Sequence, residues 1–185
     1  GMNKGAEDFG HGFPFVNLMD VFGIPRISSN KHLGLINSNH EEQAMYNLKL
    51  GDVLFVRSSV KPSGVGLTSV VLKNLDKTVF SGFLIRYRTQ VELETDYKIH
   101  CFHQTEFRNK LIAAASSSAN TNINQEALKS LVLIFPKNIE EQKAIAQILS
   151  DMDQELEGLA TKKEKYEHIK QGMMQELLTG KTRLV

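Results

Sequence analysis

The sequence predicts an α+β chain, with a strand-rich mixed domain over residues 1–137 followed by a long C-terminal coiled-coil helix over 138–185. Three observations predict it. Short apolar runs rich in β-branched and aromatic residues recur between turn residues through the first part. The run from Leu131 to Phe135 then stops at Pro136, and Asn138 stands three residues before Glu141 as a capping box. From Ile145 onward, apolar residues step by four and three, a stripe that a helix buries only against another helix.

Taken in order, strands are predicted near Phe13 to Asn17, Asp52 to Arg57, Ser69 to Lys73, Val79 to Tyr87 and Leu131 to Phe135. Thr95 is the expected cap of a short helix carrying Tyr97, Ile99 and Phe102, and Thr105 of another carrying Phe107, Leu111 and Ile112. The polar stretch SSSANTNINQ follows, and no internal repeat is present. The last helix should begin near Ile139, and Gly180 is its stop signal, which gives about 40 residues or ~60 Å at 1.5 Å per residue.

The helix seam reads Ile145, Leu149, Met152, Leu156, Leu159, Lys163, Tyr166, Lys170, Met173 and Leu177. Eight of these ten positions are apolar, so the stripe needs a partner from outside the chain, because the sequence offers no second long helix. Leu149, Met152, Leu156, Leu159, Tyr166 and Met173 are the expected interface residues. Ser150 with Asp153 forms a second capping signal that permits a kink or restart there.

Composition narrows the class. With 185 residues, 41% of them apolar and 23% charged, the chain has the make-up of a folded globular protein. The single cysteine, Cys101, excludes an intrachain disulfide framework and suits a reducing cytoplasm, and no stretch approaches the ~20 apolar residues of a membrane helix. The start carries no secretory signal, and Gly1 ahead of Met2 reads as a residue left by tag removal. The formal charge of +1 hides an asymmetry. Residues 1–137 hold 15 basic against 12 acidic side chains, a balance of +3, and residues 138–185 hold 7 against 9, a balance of −2. The first part tolerates an anionic partner without demanding one.

Catalytic and metal motifs are weak. HCFH at 100–103 offers good zinc ligands, but a structural zinc needs four, usually as two spaced pairs, and no second pair exists, so no metal site is expected. GxSxG, Walker A and GxGxxG are absent, and GVG at 64–66 lacks the strand, helix and acidic partner of a cofactor loop. The carboxylates of the long helix spread around its polar face. No catalytic residue is assigned.

The stretch LKLGDVLFVRSSVKPSGVG, 48–66, is more informative. Its strand end and polar glycine loop gather Arg57, Ser58, Ser59, Lys61 and Ser63 where they could reach phosphates or base edges. In VFSGFLIRYR, 79–88, the period of two sends Arg86 and Arg88 to one face. With Asn120 and Asn122 from the polar stretch, the candidate DNA-binding residues are Arg57, Ser59, Lys61, Arg86, Arg88, Asn120 and Asn122.

Read in order, the segments GFPFVNLMDVF (12–22), LKLGDVLFVRSS (48–59), SGFLIRYR (81–88), SSSANTNINQEALKSLVLIFP (116–136) and EEQKAIAQILSDMD (140–153) resemble the specificity (S) subunits of type I restriction-modification enzymes, and KQGMMQELLTGKTRL (170–184) is similar to the close of their helix. The resemblance implies a non-catalytic DNA-reading subunit with a target recognition domain and one long helix. It implies docking of methyltransferase (M) subunits and, through them, restriction (R) subunits, with S-adenosylmethionine bound by the methyltransferase and no cofactor on this chain. Paired antiparallel helices would act as a ruler between two recognition domains on a bipartite double-stranded DNA site.

A full S subunit carries two recognition domains and two helices, whereas this chain carries one of each. It is therefore expected as a natural half-subunit that pairs as a homodimer, or as part of a longer chain. The family also starts with a strand ahead of the glycine turn, where this chain has only Met2 to His11, and LIFPKN has one proline in place of the common two. The competing expectation from another class is a coiled-coil structural adaptor with a globular protein-binding head, which accounts for the helix but not for the ordered segments.

Overall fold

The computed structural model describes residues 1–117 and 120–184, so Ser118 and Ala119 of the polar stretch lie outside the described residues. The chain divides into two compact units, Gly1–Ala146 and Gln147–Val185.

The first unit is built around β4 (Val53–Val56), whose four residues VLFV are all buried. Alternate side chains of a strand point to opposite faces, and here both faces are covered. Val53 and Phe55 enter one apolar cluster with Phe102, Phe107 and Leu111. Leu54 and Val56 enter a second with Val16, Val71 and Leu84. Phe55 meets Phe102 edge to face at 5.0 Å between ring centroids. Truncating a ring buried in this way costs ~3–5 kcal/mol.

Around this strand the order is β2 (Arg26–Ile27), β6 (Thr68–Val71), β4 and β8 (Leu84–Tyr87). A second sheet runs β3 (Gly34–Ile36), β1 (Phe9–Val16), β7 (Val79–Phe80). The β1 register shifts between Phe9 and Phe13 against the single partner Ile36. Gly12 lies inside that bulge at φ 96°, where a Cβ would stand 2.5 Å from the Ile36 carbonyl oxygen, so only glycine fits. The third sheet is small: β5 (Ser58–Ser59), β10 (Thr121–Asn122), β9 (Ser116–Ser117).

Among the described residues there are five α-helices. α1 (His40–Met45) starts at a capping box in which Asn39 and Glu42 exchange side-chain to backbone bonds, both 2.9 Å. α2 (Thr95–Cys101) and α3 (Thr105–Ala114) occur where expected, but their caps lie one residue earlier. Glu94 accepts the Tyr97 N–H at 2.7 Å, so Thr95 is the first helical residue and not the cap. Gln104, in the same position before α3, makes no side-chain cap bond. α4 (Gln125–Lys129) is capped by Asn124, which accepts the Ala127 N–H at 2.7 Å.

α5 (Ile139–Leu178) is 40 residues long and runs without a break through Ser150 and Asp153. Asn138 accepts the Glu140 N–H at 2.9 Å at its start. Gln142, fully buried in the first turn, donates to the Pro136 carbonyl at 2.7 Å and accepts the Glu94 N–H at 2.8 Å. One side chain thus fastens the start of α5 to the start of α2.

Two strand expectations are corrected. Val79 to Tyr87 is two short strands, because the chain turns at Ser81, where Leu84 N–H donates to the Ser81 carbonyl at 3.0 Å. Leu131 to Phe135 is extended but joins no sheet. Leu131, Leu133 and Phe135 pack against the first cluster while Val132 and Ile134 are exposed, and the Ile134 carbonyl takes its bond from the Gln104 side chain at 2.9 Å. The alternation is that of a strand, but helices and loops cover the inner face and no neighbouring strand meets its edge.

The second unit, taken by itself, is the remainder of α5 and a short tail. Met152, Leu156, Leu159, Tyr166 and Met173 are exposed along its seam, and Leu149 is half-buried. Ile148, Ile169 and Met174 are exposed beside them and widen the stripe. The helix ends ahead of Gly180, whose φ of 70° leaves the helical region.

Candidate nucleic-acid interface

The small third sheet brings together segments far apart in sequence. Thr121 pairs with Ser59 and Asn122 with Ser58, while Thr121 pairs on its other side with Ser117 and Asn122 with Ser116. One residue earlier, the Arg57 carbonyl accepts the Ile123 N–H at 2.9 Å. This ladder places Arg57, Ser59, Asn120 and Asn122 side by side, and the Asn122 amide donates to the Asn120 carbonyl at 2.9 Å.

Lys61 follows β5 on an exposed loop. Its fold rests on Pro62, which starts a single helical turn, and on Gly66, held at φ 67° beneath Leu111. Arg108, on α3, donates to the Ser63 carbonyl at 2.9 Å and so fixes that loop from below. Its other terminal nitrogen is buried without a hydrogen-bond partner, and burial lowers its pKa, though a guanidinium stays charged at neutral pH. The Arg57 guanidinium donates to the Gly82 carbonyl at 3.3 Å. Among the described residues, no ion pair with a carboxylate involves Arg57, Lys61 or Arg108.

Beside this rim lies a groove of about 700 Å³ lined by Leu18, Met19, Phe22, Val60, Leu67 and Phe83 together with Ser58, Ser59, Lys61, Ser63, Gly64 and Asn120. No acidic residue lines it. Met19 is 71% exposed and Val60 81%.

Arg86 and Arg88 are held by other partners. Along the β4–β8 pair Arg86 lies opposite Leu54 and Tyr87 opposite Val53, away from Arg57 at the far end of β4. Both guanidinium groups reach Asn47: Arg86 donates to its carbonyl at 2.5 Å and Arg88 to its side-chain oxygen at 2.9 Å. Arg88 also forms a bidentate pair with Asp52, both contacts 2.6 Å, and that hydrogen bond raises its pKa. Burial, then the nearby Arg88 charge, lowers that of Arg86, whose guanidinium stacks 5.5 Å from the Phe80 ring centre. Ser59, Lys61 and Asn120 thus line one groove, Arg57 and Asn122 adjoin it through the ladder, and Arg86 and Arg88 meet at Asn47, while the Arg57 and Arg86 charges both act on the Gly1 amino group.

Arg108 was not legible from the sequence, since its link to Ser63 spans 45 residues and only the packing of α3 creates it. In the HCFH segment, Cys101 is buried within the first apolar cluster, and burial pushes its thiol up to about 12. A thiol held protonated in this way is a poor metal ligand.

Fold and site define the class: a mixed α+β unit with a groove lined by polar side chains and Lys61, and a long helix with an exposed apolar seam. The chain belongs to the type I restriction modification DNA specificity domain family, whose model matches residues 13–169. It is 28% identical over 171 residues to a putative type I restriction enzyme specificity subunit, MjaX, of Methanocaldococcus jannaschii, covering 91% of this chain and 39% of that protein. Two solved structures share the fold. One, from a study of complex assembly and conformational transition in a type I R-M system, has a TM-score of 0.65 at 19% identity and covers 95% of this chain and 41% of its own. The other, the type I S subunit from M. genitalium, has a TM-score of 0.51 at 16% identity and covers 92% and 43%. The chain therefore spans about two-fifths of the length of these relatives.

Proposed function

We propose that this chain is the sequence-specific DNA-recognition subunit of a type I restriction-modification system. Residues 1–137 form the target recognition domain, and 138–185 form the helix that pairs with a second helix and docks methyltransferase subunits. Methyl transfer and cleavage belong to the partner subunits, as does S-adenosylmethionine. The observation that carries the DNA reading is a groove, in a fold from a DNA-specificity family, that Lys61 lines and whose adjoining segments Arg57 and Arg108 bond through the Gly82 and Ser63 carbonyls, none of the three paired with a carboxylate among the described residues. Phosphate oxygens would supply the missing counter-charges.

The second helix comes from another copy of this chain or from the other half of a longer one, and in either case the target is bipartite. Among the described residues no helix is long and apolar enough to cross a membrane; the complex is placed in the cytoplasm on the family reading. The direct experiment reconstitutes the chain with its methyltransferase and measures DNA affinity against salt. A specific duplex should bind with a steep negative salt slope. Assembly with no DNA affinity at low salt would instead favour the adaptor reading.

A further inference from the structure

Val60 is 81% exposed, the most exposed large apolar side chain of the first unit, yet it stands among Ser59, Lys61 and Asn120. It is not an isolated surface valine. Met19 and Phe83 line the same groove and are also exposed, so a continuous apolar strip lies inside a polar and basic rim. Apolar surface that is rimmed in this way marks a contact site. The counter-charges absent around Arg57 and Lys61 point to a polyanion as the occupant, and no lining carboxylate opposes one.

Resting on the DNA-recognition reading, we infer that Val60 is a specificity-determining residue that packs on the 5-methyl group of a thymine in the major groove. The chemistry is selective. Among the major-groove edges of the four bases, only thymine presents an apolar group, and the others present donors and acceptors that a valine would strip of water without replacing their bonds. Valine suits the task because its branched Cβ restricts χ1, so little rotamer freedom is lost on contact. Ser59 lines the same groove, within reach of the polar atoms of the same base pair or the next.

The test uses the full chain assembled with its methyltransferase and a duplex selected by that complex from a random library. Each thymine of the half-site is replaced in turn by deoxyuridine, which removes only the methyl group. One position should lose about fourfold in affinity, the value of one buried methyl group at ~0.8 kcal/mol. V60S should weaken binding to the thymine duplex by a similar factor and leave the deoxyuridine duplex unaffected, since the contact is already gone there. Equal loss on both duplexes, a selected half-site without an A·T pair, or no deoxyuridine effect at any position would overturn the inference while leaving the DNA function intact. Weaker methyltransferase assembly in V60S, with DNA contacts unchanged, would also overturn it and assign the strip to a protein. Failure to select any sequence would overturn the DNA reading itself, a distinguishable result.

Discussion

Asp52 and Arg88 are joined through two contacts of 2.6 Å, with the carboxylate fully buried and the guanidinium 39% exposed. The same carboxylate accepts the Lys49 N–H at 2.8 Å, which closes the turn ahead of β4. One acid thus holds both the entry to the central strand and the end of its neighbour, β8.

Removing Arg88 takes away the one side chain that forks onto a buried carboxylate and leaves it the Lys49 N–H and the nearby charges of Lys98 and Arg86. Breaking a wholly buried pair costs ~3–5 kcal/mol, and the partly exposed, solvent-screened arginine reduces this to roughly 2–3 kcal/mol for Arg88→Ala. Arg88→Lys keeps the charge but loses the fork and should recover only part of the loss. Urea unfolding measures both. If Arg88→Ala left stability unchanged and instead weakened DNA binding, Arg88 would belong with the DNA face.

Three cations should carry a measurable share of the salt dependence. Alanine at Arg57, Lys61 or Arg108 should each lower the salt slope of DNA binding by about 0.9 if its charge meets a phosphate. A residue that reads guanine would instead cost ~1–3 kcal/mol at one base position. Arg88→Ala, at equal folded fraction, should leave the slope in place. Titrations of the reconstituted complex at several salt concentrations separate these outcomes.

Alkaline pH should expose the Cys101 environment. Burial raises its folded pKa from the ordinary thiol value of 9.0 to about 12, so the folded state favours the neutral thiol. That contribution is fully present below pH 9 and is lost as pH rises from 9 towards 12, because the unfolded thiol ionises first. Unfolding free energy should fall by up to ~1.4 kcal/mol per pH unit from this group across the window. Cys101→Ala should be less stable at pH 8 but show a shallower decline above pH 9, as read from urea midpoints.

The helix seam yields a length test. Leu156→Asp together with Leu159→Asp should abolish helix pairing, seen as loss of the larger species in light scattering. Deleting residues 156–162 removes one heptad and keeps the seam in phase to within about 20°. A fully overlapping antiparallel pair then shortens by roughly 10 Å, and at ~3.4 Å per base pair the preferred gap between half-sites should shrink by about three base pairs. An unchanged gap in an assembled complex would falsify the ruler model.

Parts of this fold were readable because one cause dominated locally. VLFV at 53–56 is apolar on both strand faces, and the heptad stripe with its terminal glycine left little choice for α5. Leu131 to Phe135 misled because a short apolar run ended by a proline reports burial and says nothing about whether an edge finds a partner. The basic residues divided on the same ground. Lys61 was legible as a loop cation, but Arg86 and Arg88 share a strand face whose use depends on Asn47 and Asp52, distant residues that only the fold brings close. Gln142 was hidden in an otherwise polar first turn, although it holds two backbone groups that no apolar residue could satisfy.

The small β5–β10–β9 sheet lies outside the two apolar clusters that surround β4, and Ile123 is the adjoining residue that enters one of them. Substitutions at its half-buried positions Ser58, Ser59 and Asn122 therefore draw little on the free energy that holds the chain folded, whereas buried Thr121 does not share that freedom. A lineage under pressure to change its target can sample new side chains there one at a time, each variant remaining folded and able to assemble while its preferred sequence drifts.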